Sequence, residues 1–461
     1  MSKRRTYVVF SVATALMIGS TVSSVSAAAP KVGSACKKIG TLFDTPGTRY
    51  VCNKEGKKLV WRIWYPGGAK NTSTSSTATT PAPAQGAAAP APKKAAFKAP
   101  MPIKLPVSPV GAITFANILD HISDIPTTAY NNVQAVLSAN SPVTVPTSIF
   151  VGPTTTFDIV GGESRIKTVL GRDEQLWSGF TQPSFYAMYV YNAADEPATE
   201  KKFKEDFLAK GYDYSSPEVL AGLIRALAGN CQQQIHPGAF TGPLTNCNGA
   251  DSGSYFNSKD SFLHLGQVGN SSDPMIKDGV VIGHEYIHSA VGAQWIDSPN
   301  CVNPDNFAVG CNRSGMANHG FSPCWIHEGL PQAAGSAVAE DSLAKYLTFR
   351  DSLAYSRGPT TITDYTQQSL KDYLFNMQSP STCYQNGPLY SLSYSVGALA
   401  TEALISIAGP QAVMAIYSLG AEGQDFSTAF EHVYGISWSD ASTLLSKVLA
   451  AEYATYGTPP K

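Results

Sequence analysis

Apolar runs and their spacing divide the chain into a mixed first half and a helical second half. Residues 143–151, β-branched on either side of Pro146, and residues 185–191, FYAMYVY, are apolar runs of strand length. Residues 255–265, YFNSKDSFLHL, form a third candidate strand. Between these runs, residues 200–210 and 217–228 carry helical patterns. From Lys277 onward helical spacing dominates. Residues 396–407 and 411–418 are two helices parted by the breaker Gly409-Pro410, and residues 440–453 form a last one. No internal repeat is visible. The pattern predicts an α+β protein, with a small mixed sheet in the first half and a mainly helical C-terminal part.

The N-terminus changes the picture. Lys3, Arg4 and Arg5 precede a mostly apolar stretch over residues 7–18, and small-x-small cleavage sites follow around Ala27. This is the layout of a secretory signal peptide over residues 1–27. The apolar stretch is well short of the roughly 20 residues that span a bilayer. No later segment is expected to span one, so the expectation is an exported chain, secreted or held at the cell surface.

Residues 28–66 contain Cys36, Cys52, Trp61, Trp64 and Tyr65 together with eight Lys and Arg residues. So short a module buries little core by itself, and a disulfide would help it. Its basic residues suit attachment to an anionic cell-wall polymer, or they merely solvate a small stapled cap; a charge run alone favours the second. Residues 67–105 are Thr-, Ser-, Ala- and Pro-rich and predict a disordered linker. The remainder, 106–461, is expected to be the principal globular region. Whether its stretch 106–270 is a pro-segment, a lid or part of the fold is left open by the pattern.

Composition then excludes and permits. The formal net charge of the 461 residues is −1, which gives no electrostatic reason to bind nucleic acid. The eight cysteines, in an exported chain, are expected to form disulfides. Sequence proximity pairs Cys36 with Cys52, Cys231 with Cys247 and Cys301 with Cys311, leaving Cys324 with Cys383. No C-x-x-C spacing suggests a zinc ribbon.

The chemistry concentrates in residues 281–290, VIGHEYIHSA. On a helix, His284 and His288 stand one turn apart on one face, so both imidazoles can reach one metal ion. Glu285 is offset by about 100° and lies within reach of a metal-bound water. This H-E-x-x-H arrangement supplies two ligands and a general base. A third ligand is required. The later-histidine pattern of one zincin branch is absent, because Val291 and Gln294 hold its glycine and histidine positions. Downstream, SPCWIHEGL over residues 322–330 offers Glu328, with Ser322 as an expected N-cap and Pro323 as the first helical residue.

HEYIH followed by WIHEG resembles the gluzincin metallopeptidases, the thermolysin- and aminopeptidase-like group, and is closest to the pattern H-E-x-x-H…W-x-x-E-G-x-A. The resemblance implies a zincin-like fold over roughly residues 143–451. It implies zinc (Zn2+) on His284, His288 and Glu328, with Glu285 as general base in hydrolysis of a peptide or protein substrate. It also implies a strand, near residues 255–265, along the cleft rim where substrate could add. His327 and His319 are alternative ligands. YSLSYSVG, residues 390–397, is similar to the family's Y-x-x-G helix start, which makes Tyr394, then Tyr390, the candidate hydrogen-bond donor to an oxyanion. The chain departs from the pattern at Pro331, where the family has alanine; a proline there is expected to kink the helix and disturb Glu328. That departure and the basic module motivate an alternative, a catalytically silent cell-surface binding protein on the same scaffold. No G-x-M-E-N segment is present to anchor a substrate amine, which leans towards endopeptidase action.

Overall fold

A computed structural model describes residues 31, 34–38, 42–45, 48–55, 58–63, 97–210, 231, 234–236, 239–240, 247–254, 259–298, 321–356, 364–375 and 387–457. The chain separates into two compact units, residues 1–86 and 87–461.

In the first unit, three antiparallel strands, β1 (Leu42–Thr45), β2 (Thr48–Glu55) and β3 (Lys58–Ile63), form a meander. Cys36 and Cys52 lie at disulfide distance, and Cys52 is fully buried. Backbone bonds from Cys36 to Leu59 and from Trp61 to Ser34 lay the preceding segment along β3. Lys31, Lys37, Lys38 and Lys58 are exposed.

The second unit is mixed α+β. Its four-stranded sheet has the order β4 (Thr147–Val151), β5 (Phe185–Tyr191), β9 (Asp260–Gly266), β8 (Ala250–Ser254). The first three strands run parallel and β8 runs antiparallel to β9. A small hairpin, β6 (Gln234–His236) and β7 (Ala239–Phe240), precedes β8. The strand expected over 255–265 is therefore β9, an inner strand. The rim is the preceding β8, whose sequence ADSGS has no apolar alternation to announce it. Helix α1 (Ile125–Ala139) precedes the sheet, and α2 (Gly162–Leu176) joins β4 to β5. Helix α3 (Glu196–Ala209) follows β5, four residues longer at its N-terminus than the pattern suggests. The candidate helix at 217–228 lies outside the described residues.

A short helix α4 (Pro274–Lys277) leads into α5 (Val280–Ala293), which carries the two histidines. Then follow α6 (Cys324–Ala339), α7 (Leu343–Ser356), α8 (Gln367–Phe375), α9 (Gly387–Ala408), α10 (Pro410–Ala421), α11 (Phe426–Tyr434) and α12 (Trp438–Tyr456). The breaker Gly409 sits at φ 77°, a conformation that suits glycine, and it ends α9 where expected. The stretch Ser391–Ala408 is long and apolar enough to cross a membrane, contrary to the sequence expectation. It is 94% buried within the protein, as the core helix of a globular unit is.

The sheet separates two apolar layers. Tyr186, Met188, Val190, Leu263 and Leu265 join the large core with α2 and α5. Ala187, Tyr189, Tyr191 and Phe262 pack on the other side against Phe203 and Phe207 of α3. The described residues of 106–270 thus supply α1, α2, α3 and the four-stranded sheet to these two layers, and they are part of the fold. Residues 97–105, expected to belong to the linker, pack on this unit instead. Phe97, Met101, Ile103 and Leu105 pack against the same core, and Glu422 accepts a hydrogen bond from the Ala99 backbone at 3.0 Å. Their apolar side chains are what ties this segment to the core.

Cys231 and Cys247 are at disulfide distance, as proximity suggests. Cys324, the first residue of α6, is also disulfide-bonded. Cys301, Cys311 and Cys383 lie outside the described residues.

Candidate metal centre

Helices α5 and α6 are buried along their whole lengths. Glycine lets them approach. A β-carbon on Gly335 of α6 would sit 2.7 Å from the backbone nitrogen of His284. On the other side of α6, a β-carbon on Gly397 of α9 would sit 2.2 Å from the carbonyl oxygen of Trp325. Such contacts leave no room for methyl groups. They fix α6 between the histidine helix and α9. Trp325 stacks on Trp438 with ring centroids 5.4 Å apart, anchoring the start of α6 in the core.

Three residues along from Trp325, Glu328 points at both histidines. Its Oε2 lies 3.3 Å from Nε2 of His284 and 3.3 Å from Nε2 of His288. The two Nε2 atoms are 3.1 Å apart. All three side chains are buried. Their donor atoms converge on one point, so the group could hold a metal ion. Burial by itself pushes the Glu328 carboxyl up. The neighbouring His288, hydrogen bonds from both imidazoles and His327 override it and hold the group well below its usual range. A buried carboxylate facing two imidazole nitrogens suits a cation better than an apolar filling.

The helix start is shifted by one residue from the expectation. Pro323 is the N-cap, with ψ 152°, and Cys324 is the first helical residue. Pro331 does not break α6, which continues to Ala339, and Glu328 keeps its place facing the histidines. Its position in the middle of the helix removes one backbone donor, and close packing on both sides holds the helix continuous.

Glu285 projects towards the rim strand. Ser252 of β8 donates a 2.7 Å hydrogen bond to its Oε2. Burial raises the Glu285 carboxyl to about 7, with Asp251 and Glu328 adding to the rise and His288 and Ser252 opposing it. A carboxyl in that range can both take and return a proton near neutrality.

Tyr394 on α9 stacks on the His284 ring, with centroids 5.5 Å apart and planes 10° apart. The side chain of Tyr390 and the whole of His319 lie outside the described residues. His327 is beside the site and not within the converging group. Its ring is 4.9 Å from that of His288, and its Nε2 is 3.9 Å from Oε1 of Glu328. Burial, reinforced by the positive potential of His288, lowers His327 to about 3 and keeps it neutral.

Sequence reasoning missed Ser252 and Asp173. Asp173 of α2 lies behind the histidine helix, where a β-carbon on Gly283 would be 3.1 Å from its Oδ2. It is fully buried, and among the described residues neither carboxyl oxygen has a hydrogen-bond partner. Burial raises its carboxyl well above the usual range, with Glu174 adding to the rise and Arg172 opposing it. No spacing rule links it to HEYIH; only the fold brings it near.

Comparison of the chain with protein-family models, with curated proteins and with solved structures found no match.

Proposed function

We propose that the protein is an exported zinc-dependent peptidase in which His284, His288 and Glu328 hold the metal and Glu285 is the general base. The observation that carries the reading is the convergence of the three donors at 3.1, 3.3 and 3.3 Å. Zinc bonds of about 2.0–2.1 Å in tetrahedral geometry separate neighbouring donors by about 3.3–3.4 Å. The donor set of two imidazoles and one carboxylate also suits zinc, and three protein ligands leave a fourth position open. When bound there, zinc would supply Lewis-acid polarisation of a carbonyl and a lowered pKa for water.

The chain's own residues supply the rest. Glu285 accepts a proton from water as the water oxygen attacks the peptide carbonyl carbon. It then delivers that proton to the amide nitrogen as the C–N bond breaks, releasing an acid and an amine. Tyr394, stacked on His284, is positioned to orient that ligand, and its hydroxyl is the candidate donor to the oxyanion. The β8 edge of the sheet, beside Glu285, offers a strand to which an extended peptide can add. The cysteine pairs at disulfide distance agree with an oxidising compartment and hence with export.

The test is a peptide-library digest by zinc-loaded wild type and by Glu285→Gln. Cleavage by the wild type alone, with one zinc in each protein, is the expected result. Equal cleavage by both would remove Glu285 as the base. Stoichiometric zinc without any cleavage would favour the silent binding protein.

A further inference from the structure

We propose that Ser252 is a positioning residue that holds the general base in its working orientation; this rests on the peptidase reading of Glu285. The hydroxyl lies on the rim strand β8 and donates at 2.7 Å to Oε2 of Glu285. Ser252 is 7% exposed, so water competes little for this bond. Among the described residues no other side chain hydrogen-bonds Glu285.

The position of Ser252 in the sheet argues that the hydroxyl is there for Glu285. Ser252 pairs with Leu263 across β8 and β9, and Ala250 pairs with Leu265. On the same face, β5 presents Tyr186, Met188 and Val190 to the core. An apolar side chain at 252 would continue that layer. A serine there gives up apolar burial and gains a bond to one buried carboxyl oxygen.

The consequence is an asymmetric carboxylate. Oε2 is held by Ser252, so Oε1 is the oxygen left to take the proton. Ser252 keeps its own proton on Oγ throughout, donating to Oε2 before and after Glu285 is protonated on Oε1. No proton passes through serine. Because α5 is fixed by its packing on α6, the remaining freedom of the base is its own side-chain torsions, and the bond from β8 removes it. The same strand carries the edge proposed for substrate, so the substrate's backbone and the base are referred to one element.

Four proteins decide this: wild type, Ser252→Ala, Ser252→Thr and Glu285→Gln. Two readouts are needed, peptide hydrolysis with zinc content and the infrared spectrum of the metal-free proteins at alkaline pH. The Glu285 carboxylate stretch is assigned by its loss in Glu285→Gln. In Ser252→Ala that band shifts, kcat falls about tenfold and KM and zinc content stay at wild-type values. Threonine keeps the hydroxyl, so Ser252→Thr restores the band and most of kcat. An unshifted band with wild-type kcat in Ser252→Ala, while Glu285→Gln is inactive, overturns the role of Ser252 and leaves the peptidase reading standing. Equal hydrolysis by wild type and Glu285→Gln removes the peptidase reading and this inference with it.

Discussion

Two buried polar clusters lie in the helical half of the protein, and their difference separates structure from chemistry. In one, Arg350 of α7 lies between Glu402 of α9 and Glu452 of α12. Its Nε is 2.9 Å from one Glu402 oxygen and its Nη2 is 2.5 Å from Glu452. Tyr346 and Tyr355 donate their hydroxyls to the same two carboxylates. The chain supplies both signs of charge and the hydrogen bonds between them. In the other cluster, His284, His288 and Glu328 present two imidazole nitrogens and a carboxylate oxygen to one point, with no Lys or Arg among them. The first ties three helices together. The second could hold a metal ion.

The largest expected effect breaks the first cluster alone. Arg350→Met leaves two buried carboxylates without their counter-charge and should cost about 3–5 kcal/mol of stability, read from urea unfolding. Zinc affinity of the folded fraction should be unchanged. A stable Arg350→Met protein would mean that the network contributes little and that the contrast is wrong.

A smaller effect comes from the packing that aims the metal ligands. Gly335→Ala places a methyl group against the backbone of His284. We expect a loss of about 1–3 kcal/mol in stability from overpacking, accompanied by weaker zinc binding. Titration of the metal-free variant with zinc checks the second half. Lost stability with wild-type zinc affinity would show that the helix spacing does not set the ligand geometry.

One buried histidine is neither a proposed ligand nor, among the described residues, an ion-pair partner. His264 on β9 is caged by Tyr189, Phe203 and Phe262, and among the described residues neither ring nitrogen has a hydrogen-bond partner. Burial lowers it to about 3, whereas in the unfolded chain it titrates near the ordinary value of about 6.5. Between those values the unfolded chain binds one more proton than the folded one. Its contribution is therefore intact above about pH 6.5 and is lost on acidification, by at most about 1.4 kcal/mol per pH unit. His264→Phe should flatten that part of the stability profile relative to wild type. Identical slopes would show that His264 is protonated in its cage.

The cluster of His284, His288 and Glu328 was more legible in the sequence than the sheet beside it. HEYIH and WIHEG are local patterns, and helical spacing alone puts His284 and His288 on one face and Glu328 a turn after Trp325. Strand β5 was equally plain, because FYAMYVY is buried on both faces. The rim strand was not, because ADSGS becomes a strand only by pairing with β9. Ser252 was hidden with it. Helices α1 and α2 were missed because their cores alternate with Thr, Asn and charged residues, and their helical state depends on packing against α5, α6 and α9. At Pro331 the helical assignment runs on to Ala339 and Glu328 still faces both histidines, so the disturbance of Glu328 expected from the proline does not occur.

The central claim is that His284, His288 and Glu328 form one metal centre. Elemental analysis of wild type and His288→Ala, each purified, stripped and reloaded with zinc, tests it most directly. One zinc per chain is expected in the wild type and less than about a tenth of that in His288→Ala, whose metal-free fold is otherwise retained. Stoichiometric zinc in both proteins, or none in the wild type, would contradict it.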